Sequence, residues 1–96
     1  MQPEQEVARG QDARRVLTNT IYVEAYDSIR DRIWQQLSQV ELDPDKRIRL
    51  NSLAVALESL QRYMQKVMET GKMAAEQIER ERTFTERMKD RIRSVA

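Results

Sequence analysis

Carboxylates three or four residues apart, such as Asp27 with Asp31 and Glu76 with Glu79, could share a hard cation across one face of a helix. Two carboxylates without further oxygen ligands make a poor Mg²⁺ or Ca²⁺ site, so these pairs read as solvated helix faces. The chain contains no His and no Cys, which removes imidazole and thiolate ligands, disulfides, thiol nucleophiles and the commonest catalytic base together. Neither Gly10 nor Gly71 has a second glycine nearby, so no phosphate-cradling loop is encoded. An enzyme is not expected, and no catalytic, cofactor-binding or metal-binding residue and no small-molecule substrate is assigned.

Basic residues form the next pattern. Lys46, Arg47 and Arg49 cluster together, and Arg80, Arg82, Arg87, Lys89, Arg91 and Arg93 stud the C-terminal segment. An Arg-rich helix can neutralise phosphates without reading bases, which makes the second group candidate phosphate contacts. Glu79, Glu81, Glu86 and Asp90 are interleaved with them, as on a salt-bridged helix face, and mixed signs weaken a long-range field. Tyr22, Tyr26 and Trp34 could be taken for a base-stacking platform, but their place on or beside an apolar stripe points to packing.

Elements that would carry these residues follow from composition and periodicity. Of 96 residues, 40% are apolar and 34% charged, with 17 basic and 16 acidic side chains and a net charge of +1. Such a chain buries little core by itself and suits long helices with charged outer faces. No apolar run approaches the length of a membrane span, and no signal-peptide core opens the chain, so a protein of the host cytoplasm or virion is expected, neither secreted nor membrane-bound.

Residues 4–17 read as a short helix, with Gly10 a weak point. Asn19 is a good cap for a second helix over residues 20–41, where Tyr22, Tyr26, Ile29, Ile33, Leu37 and Val40 trace one stripe and Trp34 and Val23 widen it. Asp43-Pro44 starts a third helix over residues 44–70. Here Leu50, Leu57 and Met64 share one heptad position and Leu53, Leu60 and Val67 another, the seam of a coiled coil. The short link predicts an antiparallel hairpin of the two long helices. Gly71 either ends the third helix or lies within it, and residues 72–95 form a C-terminal helical extension with a sparse stripe of Ala74, Ile78, Phe84, Met88, Ile92 and Val95.

The run Ala13-Arg14-Arg15-Val16-Leu17-Thr18-Asn19-Thr20-Ile21-Tyr22-Val23-Glu24-Ala25 resembles the A-x-x-L-L-x-N-P-x-x-x-E-A stretch of small helical bacteriophage proteins encoded among head and DNA-packaging genes. Arg47, Leu50, Leu53-Ala54 and Leu57 resemble their R-x-x-L-x-x-L-x-A-L element, and Glu69-Thr70-Gly71-Lys72 their G-K element. The likeness spans residues 7–78 and departs at Thr20, which stands where the family's proline follows the asparagine. It carries no active-site residues. It implies a role in virion assembly, with other phage assembly proteins as partners.

The expectation is therefore all-α: one helical domain, a long antiparallel hairpin with coiled-coil-like packing, a short N-terminal helix and a C-terminal extension. Its seam residues would be Tyr26, Ile29, Ile33 and Leu37 against Leu50, Leu53, Leu57, Leu60, Met64 and Val67. The expected partner is a second copy of the chain in a homo-oligomer. Alternatives are a packaging accessory that holds nucleic acid through the basic C-terminal helix, and a small inhibitor or adaptor on a host protein.

Overall fold

The computed structural model describes the backbone of residues 1–95 and the side chains of residues 1–94, so the Val95 position of the stripe lies outside the described side chains. Three α-helices account for it: α1 (Pro3–Leu17), α2 (Thr20–Leu37) and α3 (Pro44–Val95). The 52 residues of α3 make a rod of about 78 Å at 1.5 Å per residue, close to the molecule's 82 Å long axis. The shape is that of an extended helical hairpin, with α1 and α2 laid along one rod. Among the described residues, no helix is long and apolar enough to cross a membrane.

Local chemistry sets the helix ends. Pro3 occupies the first position of α1, Glu4 and Glu6 lie in its first turn and Arg14 and Arg15 in its last, matching the helix dipole. Asn19 caps α2 by accepting from the Tyr22 amide at 3.0 Å, and Asp43 caps α3 by accepting from the Lys46 amide at 3.2 Å. The second helix stops at Leu37, short of the expected residue 41. Ser38 turns its amide and hydroxyl onto the Trp34 carbonyl, and Val40, expected on the stripe, is 98% exposed in the connection.

The rod passes through Gly71 without a break, and no residue described has a positive φ. Gly71 is instead where α1 and α3 touch. A methyl group built on it would lie 2.7 Å from the Glu6 carbonyl oxygen and 2.8 Å from the Gly10 Cα, and one built on Gly10 would lie 2.9 Å from the Gly71 Cα. The two glycines let the backbones meet, and Ala13 and Ala74 are buried beside them. Gly10 is thus a contact point as well as a weak point in its helix.

The interior is small. Among the described residues the buried apolar side chains are Ala13, Ile33, Leu50 and Ala74, and no large side chain is fully enclosed. Beneath α2 the half-buried positions on α3 are Ala54, Leu57 and Gln61, continuing to Met64 and Met68. Leu50, Ala54, Leu57, Gln61, Met64 and Met68 recur in steps of four and three, a heptad line that keeps the expected Leu50, Leu57 and Met64 but has Ala54 and Gln61 in place of Leu53 and Leu60, with Val67 half-buried beside Met68.

Candidate functional site: an uncovered helical surface

The expected seam divides in two. Ile33 and Leu50 are buried, and Tyr26, Leu37, Leu57, Met64 and Val67 are half-buried. Ile29, Leu53 and Leu60 are exposed. The correction has a steric cause. Tyr22 and Tyr26 stand on the inner face of α2 with ring centroids 6.3 Å apart, and Ala54 leaves room for rings that a leucine would fill. The Tyr22 hydroxyl donates to Gln61 Oε1 at 3.0 Å, so a polar position serves as part of the line. Partial burial against Tyr26 pushes the Tyr22 hydroxyl above its ordinary pKa, desolvation first and the neighbouring phenol second.

Rotated out of the pairing, Leu53 and Leu60 form a ridge beside Ile29. These three, with Ile33, Leu50, Ala56 and Leu57, line an open groove of about 450 Å³. A second cleft of about 330 Å³ opens between Tyr26, Arg30, Ile33, Trp34, Ala54 and Leu57 on the other side of α2. Trp34, read as part of the apolar stripe, is 63% exposed at its rim. The chain's accessible surface is 8121 Å², whereas a folded monomer of 11.4 kDa has about 5,800 Å². The excess is larger than the roughly 1,600 Å² of a standard protein interface.

The C-terminal part of α3 is the other uncovered surface. Beyond Ile78 it contacts neither α1 nor α2 closely enough to be buried, and Phe84, Met88 and Ile92 are exposed in steps of four. At 100° per residue these three occupy one arc of about 80°. Arg80, Arg87 and Arg91 run along one edge of that arc, whereas Lys89, Arg82 and Arg93 lie about 60–100° beyond its other end, next to the carboxylates. Glu79, Glu86 and Asp90 take the opposite face, while Glu81 falls within the stripe at its N-terminal end. Arg80, Arg87 and Arg91 are thus grouped in space, while Arg82, Lys89 and Arg93 remain beside the carboxylates, as the Arg82–Glu79 ion pair shows. The six candidate phosphate contacts therefore form no continuous basic face: three border the apolar stripe and three border the acidic side.

Arg82 reaches back to Glu79 at 2.7 Å, and this hydrogen bond, then the charges of Glu79 and Glu86, raise the guanidinium above its ordinary pKa. Other ion pairs, Arg15 with Asp12, Arg62 with Glu58 and Arg30 with Asp27 and Asp31, are also on the surface, where such pairs contribute little. The carboxylates of Asp27 and Asp31 thus share a guanidinium.

No protein family, characterised protein or solved structure matches the chain.

Proposed function

We propose that the chain is a non-enzymatic assembly protein that works by helix-mediated self-association. Its unit is an antiparallel α2–α3 hairpin packed in the manner of a coiled coil, braced by α1 at the glycine contact. The observation that carries the reading is the ridge of Ile29, Leu53 and Leu60, apolar side chains that the chain's own helices leave uncovered. Contiguous apolar surface of this kind is costly to hold in water and marks an interface. A thin interior supports the same reading, since small chains without sufficient core gain stability by associating. The setting proposed is bacteriophage head or packaging assembly, on the resemblance alone.

The test is the solution mass by light scattering across a concentration series. A defined oligomer is expected, and Leu53→Asp with Leu60→Asp should reduce it to monomer while leaving the far-UV helical signal in place. A wild-type chain that stays monomeric at hundreds of micromolar would refute the proposal.

A further inference from the structure

Two heptad lines lie side by side on α3, displaced by one residue. The first, from Leu50 to Met68, faces α2. The second, Arg49, Leu53, Ala56, Leu60, Tyr63 and Val67, repeats the same steps of four and three. At 100° per residue it is centred about 100° from the first, and all of its members except the half-buried Val67 are exposed. Ile21, Ala25, Ile29 and Arg32 are exposed on the same flank of α2, where Ile29 and Arg32 share the groove with Leu53 and Leu60. On this flank α2 carries no carboxylate, and α3 carries none between Asp45 and Ile78. A helix with two adjacent heptad lines packs on two neighbours in a bundle, and here α3 has one.

The uncovered line is close to symmetric about Ala56. Leu53 and Leu60 flank it, and Arg49 and Tyr63 come next. A second copy turned end for end about Ala56 sets Leu53 against Leu60 and Arg49 against the Tyr63 ring. The two Ala56 methyl groups then face each other, where small side chains let the helices approach. The second helix obeys the same axis. Tyr22 bonds to Gln61 and Ile33 shares the groove with Leu50, which puts Asp27 level with Ala56. Turning about that level sets Ala25 opposite Ile29, small against large. Charge agrees with this direction. Asp45 of one copy falls level with Val67 of the other, one turn from the Tyr63 hydroxyl that holds Arg9 at 3.5 Å. A parallel pairing would instead bring Arg49 onto Arg49 and Arg32 onto Arg32.

We infer that two copies pair through this flank about a two-fold axis at Ala56 and Asp27, α3 against α3 and α2 against α2, as an antiparallel four-helix bundle. The overlap from Asp45 to Val67 is about 33 Å long and two helices, about 20 Å, wide. That footprint of about 650 Å² in plan approaches the roughly 800 Å² per copy of a standard interface before side-chain relief is counted. The contact is isologous and closes on itself, and the end of α3 beyond Ile78 stays free for a further one. This inference rests on the self-association proposed above and gives its geometry.

The chain has no cysteine, so single cysteines read the axis directly. Residues on the axis of helices 8–10 Å apart bring their Cα atoms to about 4–6 Å, so Ala56→Cys should form a disulfide dimer on mild oxidation. Leu53→Cys should not cross-link to itself, because its two copies lie about 9 Å apart along the helices. Refolded together with Leu60→Cys, it should give the mixed dimer. Ala56→Glu sets two carboxylates together on the axis and should weaken association at least about tenfold, with the far-UV helical signal retained. Light scattering of the wild type should give an even number of copies.

Efficient self-cross-linking of Leu53→Cys, an odd-numbered oligomer, or association unchanged by Ala56→Glu would overturn this axis and leave self-association standing. A monomeric wild-type chain would overturn both, in favour of a different protein on this flank.

Discussion

Replacing Gly71 with alanine sets two effects of opposite sign against each other. In a helix interior alanine is favoured over glycine by about 0.8–1.0 kcal/mol, so propensity alone predicts a more stable chain. The close approach of α1 predicts the reverse. The new methyl carbon would lie 2.7 Å from the Glu6 carbonyl oxygen and 2.8 Å from the Gly10 Cα, while ordinary contact begins at 3.4 Å. Both obstacles are backbone, so relief requires parting the helices by about 0.7 Å along their contact, which loosens Ala13 and Ala74. Overpacking of this kind costs about 1–3 kcal/mol, so the net change should be a loss of about 1 kcal/mol, a fall in Tm of about 5 °C. Urea denaturation followed by far-UV circular dichroism at fixed protein concentration measures it. In a chain lacking residues 1–17 the same substitution should increase helicity, because the obstacle is gone. If Gly71→Ala stabilises the full chain by about 1 kcal/mol, α1 does not seat on Gly71 and the account of the glycine pair is wrong.

Leu57 borders the clefts on both sides of α2, so Leu57→Asp should place an unpaired charge in the pairing and remove most of the cooperative unfolding transition, a cost of about 3 kcal/mol. A retained helical signal with a normal urea midpoint would contradict this. Tyr22→Phe removes the bond to Gln61 and should cost about 1 kcal/mol by urea denaturation. Because the Tyr22 hydroxyl is raised in the fold from 10.0, its contribution should be intact below about pH 10 and fall as pH rises through the folded value. A midpoint as alkali-sensitive in Tyr22→Phe as in the wild type would argue against it. Amide hydrogen exchange should be fast over residues 80–94 in dilute monomer and slow in the assembled protein; slow exchange in both would mean that the end of α3 is stable without a partner.

How far the fold was readable depends on which force set each feature. Helix starts at Asn19 and Asp43-Pro44 were legible because capping is local chemistry, satisfied within three residues of chain. The line of α3 that faces α2 was not. Leucine at positions 53 and 60 is the stronger hydrophobic signal, yet the helices pair over Ala54 and Gln61, because the volume of Tyr22 and Tyr26 on the opposing helix decides what fits. Gly71 was ambiguous for a related reason. A glycine that ends a helix and a glycine that admits another backbone look alike in one sequence, and only the position of Gly10 distinguishes them.

The candidate surface shows the same limit in its charges. Read in order, residues 79–93 alternate Glu-Arg-Glu-Arg and later Lys-Asp-Arg, which suggests a neutral, salt-bridged face. Wound at 3.6 residues per turn, Arg80 joins Arg87 and Arg91 on one side, while Arg82, Lys89 and Arg93 fall next to the carboxylates of Glu79, Glu86 and Asp90. A sequence average over such a segment is close to zero, whereas a partner approaching the edge formed by Arg80, Arg87 and Arg91 meets positive charge. The same winding leaves Phe84, Met88 and Ile92 exposed beside that basic edge, on the part of α3 beyond Ile78.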